Sequence, residues 1–426
     1  MSMFKLPDGK KINKSWMEDA KGQLELSLLY VAGERVQCLC HGEQKAPPLL
    51  YIKCVNEKYY LARMPKTQHL HAPGCVFSHE YEINNGNAQH DTGESSYIEH
   101  EDGTFIVKPS FHLERNIKDA ALEKVGSETK QRDENNNESR STLLGLMLVL
   151  WENSKNNRHY STDSERTWNK VAWFLHKTVQ MGMIGRKKMS DIVHIPLWHK
   201  DDPNRYTFWD WTKTLAKESE SGDLGIIIGH VRKFTIHPRT QDTASKMEFS
   251  LSDVPCLISL TPAAQRTLAQ SFRRHIQVLT DTKESTEKVV AIFLVTNGYR
   301  IDADGNKKRC LVANKAALMV TSNGFIPIDS HYENQMATAL IEAGRAFVKP
   351  LRYEKSQDML PDFIVVDEKP PLFVEVFGVT NDPEYENRKQ EKISMYKSQG
   401  KKLLSWDVSK EKTVPFVPSK LEGLSS

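Results

Sequence analysis

The chain has 426 residues, 39% of them hydrophobic, with a formal net charge of +3. That length allows two to four domains with sizeable cores. So small a charge does not announce a nucleic-acid binder, so any such contact must rest on local patches. No apolar run reaches the eighteen or so residues of a membrane span, and the longest, Leu143 to Trp151, falls far short. Met1 to Trp16 carries lysines but no apolar core of a secretory signal, so a cytoplasmic protein is expected.

The first informative cluster is Cys38-Leu39-Cys40, followed by Cys54, His69, His71 and Cys75. Thiolates and imidazoles in two close sets, Cys-x-Cys and His-x-x-x-Cys, suit a tetrahedral zinc site. The expected ligands are Cys38, Cys40, His71 and Cys75, with His69 as the substitute and Cys54 as core. Four protein ligands close the sphere, so a structural role is expected, in a zinc-binding module over residues 1–113. Unligated reduced cysteines are the alternative. Cys256 and Cys310 stand alone and are expected to be buried. Arg63-Met64-Pro65-Lys66-Thr67, after Tyr59 and Tyr60, could contact a nucleic-acid backbone or simply loop over the zinc site.

Residues 114–140 are polar and charged and read as a linker. Helical periodicity follows from Ser141, with Leu144, Met147, Leu148 and Trp151 on one face. Thr162-Asp163-Ser164 is a cap for a second helix through Trp168, Val171, Ala172, Leu175 and Val179. Gly182, Gly185 and Arg186-Lys187-Lys188 precede a third short element, Met189 to His194. Three short helices around a basic turn, over residues 141–220, are compatible with a winged-helix or helix-turn-helix module and equally with a helical packing domain. Trp168, Trp173 and Phe174 are expected in the core rather than as base-stacking platforms.

Residues 221–324 read as β-rich. Ile226 to Ile228, Val231 to Ile236 and Cys256 to Leu260 are strands, and Thr261-Pro262 opens a helix carrying Arg266, Arg273, Arg274 and His275. Val289 to Ile301 and Cys310 to Thr321 form a hairpin. Its turn, Asp302 to Asn306, lacks the glycine and closing glutamate of a calcium loop. No phosphate-binding glycine loop or serine-nucleophile elbow is present.

The densest chemistry lies in residues 325–426. Ser330 opens a helix to Ala343 with Glu333 on its apolar face, and Arg345 to Val348 is a first strand. Asp362 begins the apolar run Phe363 to Val366, and Glu375 interrupts the run Leu372 to Phe377. The short connection Asp367-Glu368-Lys369-Pro370 makes these strands antiparallel neighbours and brings Asp362 beside Glu375. Burying two such carboxylates is costly unless a cation offsets their charge. Asp382-Pro383 starts a helix that Gly400 ends, with Tyr385, Arg388, Lys389, Lys392 and Tyr396 at helical spacing, and Lys402 to Trp406 is the last strand. For either acid alone a structural role is the better reading, Asp362 as a turn cap after Pro361 and Glu375 in an ion pair with Arg388 or Lys392. The ordered set favours a site.

The order helix, three strands, helix, strand, with Glu333, Asp362 and Glu375, resembles the restriction-endonuclease-like PD-(D/E)xK nuclease superfamily over about residues 325–410. The resemblance implies a metal-dependent DNA endonuclease in which Asp362 and Glu375 hold Mg²⁺ or Mn²⁺, with Glu333 orienting a bound water or a second ion. Phe377 stands where that pattern has its lysine; in some branches the lysine moves to the following helix, so Lys392, or else Lys389, takes the role, with Arg388 on the phosphate charge. More widely, Cys38-x-Cys40, Leu61 to Pro65, His71, Cys75, Lys349 to Tyr353 and Leu360 to Phe363 are similar to an uncharacterised bacterial family carried on plasmids and integrative elements. That similarity implies DNA, and other mobile-element proteins, as partners. The expected architecture is α+β and multidomain: a small zinc-binding module, a helical middle, and a C-terminal restriction-endonuclease-like α/β domain. The alternative is a non-catalytic DNA-binding accessory protein or regulator that keeps the nuclease fold.

Overall fold

A computed structural model describes residues 3–13, 16–17, 19–42, 47–55, 58–64, 67, 70–72, 75, 77, 96–100, 102–115, 142–161, 166–197, 204–217, 220–237, 246–281, 286–301, 305–351, 360–378 and 383–419. The fold is mixed α+β with several sheets. Among the described residues no helix is long and apolar enough to cross a membrane.

Near the N-terminus, β1 (Met3–Lys5), β2 (Lys11–Asn13), α1 (Ala20–Val31), β3 (Val36–Cys38), β4 (Leu49–Val55) and β5 (Lys58–Arg63) form one unit. Its antiparallel sheet runs in the order β2-β1-β3-β4-β5. Phe4, Ile12, Leu26, Val36, Leu50 and Ile52 share one small core with the thiols of Cys38 and Cys75. Arg63 is buried there and bonds the Met64 carbonyl, so it does not face a nucleic-acid backbone; Pro65 and Lys66 lie outside the described residues.

The next elements are β6 (Tyr97–Glu99), β7 (Phe105–Val107), β8 (Glu114–Arg115), α2 (Leu143–Asn153), β9 (Arg158–His159), α3 (Trp168–Val179), β10 (Gly182–Ile184), β11 (Lys187–Lys188), α4 (Met189–Ile192) and β12 (Val193–His194). Glu114 and Arg115, placed in the linker by composition, pair with a later strand instead; residues 116–140 lie outside the described ones. Thr142 caps α2 through its side chain. Thr167 caps α3, whereas Thr162 to Ser164, expected in that role, lie outside the described residues. The basic turn is a β-hairpin rather than a turn between helices: β10 pairs with β11 and runs parallel to β7. Gly182 permits that approach, because a Cβ there would lie 2.7 Å from the Phe105 ring and 2.5 Å from Met189 Sδ. Lys187 is held by Asp223 at 2.6 Å and Glu114 at 3.0 Å. Helix α3 buries Trp168, Val171, Ala172, Leu175 and Val179 as one stripe. Trp173 and Phe174 fall on the opposite side, 44% and 38% exposed, so the expectation that they are core is corrected.

A six-stranded sheet follows. After α5 (Asn204–Thr214) and β13 (Gly222–Asp223) come β14 (Gly225–His237), β15 (Lys246–Leu251), β16 (Ile258–Leu260), α6 (Pro262–Ser271), α7 (Arg273–Thr280), β17 (Lys288–Ile301) and β18 (Lys307–Thr321). The strand order is β12-β14-β15-β16-β18-β17, with β14 also paired to β17. Alternation along the long hairpin divides two cores. Val290, Ile292 and Leu294 pack with α2 and α3, while Ala291, Phe293 and Val295 pack with residues of α5 and α6. The single helix expected from Thr261 breaks at Phe272, whose backbone leaves helical geometry. Arg274 is bound to Glu287 at 3.0 Å. Cys310 is buried as expected, but Cys256 is only half-buried.

The C-terminal elements are α8 (His331–Glu342), β19 (Phe347–Val348), β20 (Phe363–Val365), β21 (Leu372–Phe377), α9 (Pro383–Ser398) and β22 (Lys402–Asp407). The order helix, three strands, helix, strand is therefore present. β20 pairs antiparallel with β21, and β21 runs parallel to β22. Gly400, at φ +60°, ends α9 in the left-handed conformation. Phe363, Val365, Leu372 and Val374 face Met336, Ala337 and Leu340 of α8, while Ile364 and Phe373 face Tyr396 of α9. One strand of this sheet comes from far earlier in the chain: β9 pairs antiparallel with β19. The Trp151 indole N–H also donates to the Phe325 carbonyl at 3.2 Å.

Candidate functional site

The register Phe363↔Val374 makes Asp362 and Glu375 the next facing pair, both on the side of the sheet that α9 covers. Asp362 Oδ2 accepts from the Val376 N–H at 2.7 Å. Glu375 is only 1% exposed. Its Oε2 accepts from Lys392 Nζ and its Oε1 from the Tyr396 hydroxyl, both at 2.6 Å. Lys392 also donates to the Leu360 carbonyl at 2.8 Å, so it spans the starts of both acidic segments. Lys389 points elsewhere, to Asp407 at 2.6 Å and Glu386 at 3.0 Å. Of the two lysines considered, Lys392 is therefore the one at the carboxylates. The side chain of Arg388 lies outside the described residues. Phe377, in the position two after Glu375, is buried with Lys389 Nζ 5.5 Å from its ring centre.

Glu333 reaches the same corner from the other face. Ser330 caps α8 by accepting from the Glu333 N–H at 3.0 Å, which fixes the carboxylate in the first turn. Glu333 Oε2 accepts from the Asp329 N–H at 3.1 Å and from Lys349 Nζ at 2.7 Å. Lys349 also donates to Asp329 at 3.0 Å, with Asp362 Oδ1 3.9 Å away. Lys349 is buried and was not among the expected site residues, although it stands in the Lys349 to Tyr353 stretch of the family resemblance and directly after the apolar Phe347-Val348. Asn157 holds it from the segment before β9: the Lys349 N–H donates to the Asn157 carbonyl at 2.8 Å, and Asn157 Nδ2 donates to the Lys349 carbonyl at 2.9 Å.

Burial governs the acid–base behaviour. It lifts the Glu333 carboxyl to about 7, with Asp362 and Asp329 adding to the effect and Lys349 opposing it. Burial likewise raises Asp362 and Glu375. Burial alone would lower Lys349, but the surrounding carboxylates outweigh it and hold the ammonium charged. Asp329, exposed at the rim, is lowered chiefly by Lys349. Four carboxyl groups thus gather around Lys349 and Lys392 at a mostly buried corner. Glu333 turns Oε2 to Lys349 and the Asp329 N–H.

The second site is the cysteine–histidine cluster. Cys38, Cys40, His71 and Cys75 bring their ligand atoms within 4.8 Å of one another, the one such group among the described residues. The Cys38 and Cys75 sulfurs are 3.7 Å apart, and His71 Nδ1 lies 3.6 Å from Cys40 Sγ and 3.7 Å from Cys75 Sγ. Tetrahedral zinc, with Zn–S of about 2.3 Å and Zn–N of about 2.0–2.1 Å, requires sulfurs about 3.7–3.8 Å apart and sulfur–nitrogen edges of about 3.5–3.6 Å. The donor set therefore could hold a metal such as zinc. The Ala72 N–H donates to Cys40 Sγ at 3.3 Å, the kind of second contact that orients a thiolate ligand. The Cys75 thiol is pushed down to about 4 by its hydrogen bond with Cys38, helped by His71. His69 and the side chain of Cys54 lie outside the described residues.

Residues 14–409 match the model of the DUF1173 family, described as a protein of unknown function. No curated protein matches. Among solved structures, the crystal structure of the mitochondrial single-stranded DNA binding protein Rim1 from S. cerevisiae is similar at 18% identity, over 24% of this chain and 97% of that one, with a TM-score of 0.15.

Proposed function

The chain belongs to the DUF1173 family, whose description gives no activity, and we propose from its own site that it is a metal-dependent DNA endonuclease hydrolysing phosphodiester bonds. The observation that carries this reading is the meeting of Asp362, Glu375 and Lys392 from two adjacent strands and the helix after them. Asp362 and Glu375 would hold Mg²⁺ or Mn²⁺, which supplies polarisation of the phosphate and a water of lowered pKa. Tyr396 and Lys392 fix the two oxygens of Glu375, and Lys392 supplies positive charge for the transition state. Glu333, with its carboxyl near 7, can exchange a proton near neutral pH. The cysteine–histidine cluster would hold a structural zinc in the N-terminal module. A cytoplasmic place, and a role in plasmid or mobile-element DNA transfer or maintenance, complete the proposal.

One observation favours a second reading, a non-catalytic DNA-binding accessory protein. Lys349 and Lys392 already bond Glu333 and Glu375, so these carboxylates have partners without any metal. Incubation with supercoiled plasmid and single-stranded DNA in Mg²⁺, Mn²⁺ or EDTA separates the two. The nuclease reading expects metal-dependent cleavage that Asp362→Ala and Glu375→Ala abolish. Cleavage that persists in Asp362→Ala refutes it, and intact DNA binding with no cleavage supports the accessory protein.

A further inference from the structure

We infer that the outer face of α3 is a second nucleic-acid surface, one that binds a single-stranded polynucleotide by stacking. It rests on side chains apart from the carboxylate site and stands whether or not that site cleaves. Lys170, Trp173, Phe174 and Lys177 occur at helical spacing and share the face that the buried stripe leaves outward. Trp173 and Phe174 are two large aromatic side chains exposed at adjacent positions, their ring centres 4.9 Å apart and their planes at 80°. Hydrophobic side chains of that size normally find a core, and the stripe of Trp168, Val171, Ala172, Leu175 and Val179 supplies one on the opposite side. Two adjacent rings left in solvent therefore call for an occupant.

The charge around them selects it. Helix α3 contains no aspartate or glutamate but carries Lys170 and Lys177. Lys177 Nζ lies 3.4 Å from the centre of a Trp173 ring, so a cation accompanies the exposed indole. The hairpin of β10 and β11, which follows α3 in the chain, carries exposed Arg186 and Lys188 and also Lys187, which is paired with Glu114 and Asp223. Aromatic faces flanked by cations, with no competing acid on the helix, match a strand that offers phosphates and open base faces. A duplex keeps its bases stacked on one another and offers only the phosphates. Stacking thus favours the single strand.

The test measures fluorescence anisotropy of labelled oligothymidine, oligouridine and a duplex of equal length, all without added Mg²⁺ or Mn²⁺, so that cleavage plays no part and a zinc in the N-terminal module is left in place. The full chain is compared with Trp173→Ala/Phe174→Ala and with Trp173→Tyr. The alanine pair should bind a single strand roughly ten- to a hundredfold more weakly, as expected for lost base stacking, and the duplex almost unchanged. Trp173→Tyr should keep most of the affinity, since it keeps a stacking ring. Both positions are exposed, so thermal melts of the variants should overlay the parent. A loss on either single strand but not on the duplex supports the surface, and comparing the two strands tells DNA from RNA. Unchanged single-strand affinity, an equal loss on the duplex, or no single-strand binding by the parent chain overturns it.

Discussion

Replacing Lys349 with methionine tests the physical account of the carboxylate corner. The substitution keeps a long apolar stem in the same space and removes one buried charge. In the parent chain Lys349 Nζ bonds Glu333 at 2.7 Å and Asp329 at 3.0 Å. Breaking a buried pair by removing one partner costs about 3–5 kcal/mol, because the other charge stays behind. The loss should also depend on pH, with a definite sign. Glu333 has an ordinary value of 4.5 and sits at about 7 in the fold, a difference worth about 3 kcal/mol. The folded chain therefore holds that proton more tightly than the unfolded one. Below pH 4.5 both states carry it and no cost arises; as pH rises through 7 the cost becomes complete. Without Lys349 the carboxyl moves higher still. Urea unfolding followed by tryptophan fluorescence should show Lys349→Met losing about 3–5 kcal/mol at pH 8 and about 1 kcal/mol less at pH 5, where Glu333 is protonated with or without the lysine. The double variant Lys349→Met/Glu333→Gln should recover much of the loss at pH 8, since it leaves neither charge unmatched. Equal losses at the two pH values, or no recovery in the double variant, would refute the reasoning.

Three further outcomes are expected. Metal analysis of the purified chain should find one zinc, which Cys75→Ser loses, and hydrogen exchange should then rise across residues 3–77 while α8 to β22 stay protected; a metal-free chain whose melting ignores EDTA would exclude the zinc module. Tyr396→Phe removes one hydrogen bond to the buried Glu375 and should cost about 1.5–3 kcal/mol in urea unfolding, the range for a bond to a charged group. Asn157→Ala removes its side-chain bond to the Lys349 carbonyl and should cost about 1–2 kcal/mol; as a positioning change it should also lower any plasmid cleavage without altering the metal dependence.

How much of this was legible in the sequence depended on how local each signal was. Strands β20 and β21, their antiparallel pairing and the place of Asp362 beside Glu375 followed from two apolar runs and a short connection, all within eighteen residues. Lys392 and Tyr396 lie four apart on one helix, so their shared face was readable too. The cysteine–histidine cluster was readable because donor chemistry survives any path of the intervening chain. Trp173 and Phe174 were misplaced because apolar content was read without its phase; counted from Trp168, the buried positions 171, 172, 175 and 179 leave 173 and 174 outside. Lys349 was missed because its partners follow from tertiary packing, not from spacing.

Strand β9 carries the same lesson into the organisation of the chain. Composition placed residues 141–220 and 325–426 apart, yet Arg158 and His159 form the edge of the C-terminal sheet, and Asn157 grips Lys349 through both backbone and side chain. A two-residue strand has no hydrophobic period to read, and a buried asparagine looks like any loop residue until its partner is known. Arg166 then braces this segment, donating to the Asn156 carbonyl and side chain and to the Arg158 carbonyl. Helix α3 begins two residues after Arg166, so the helix with the exposed Trp173 and Phe174 and the lysine among the carboxylates share one buried polar brace. The carboxylate corner and the outer face of α3 are thus held by a connection that is short in space though nearly two hundred residues long in sequence.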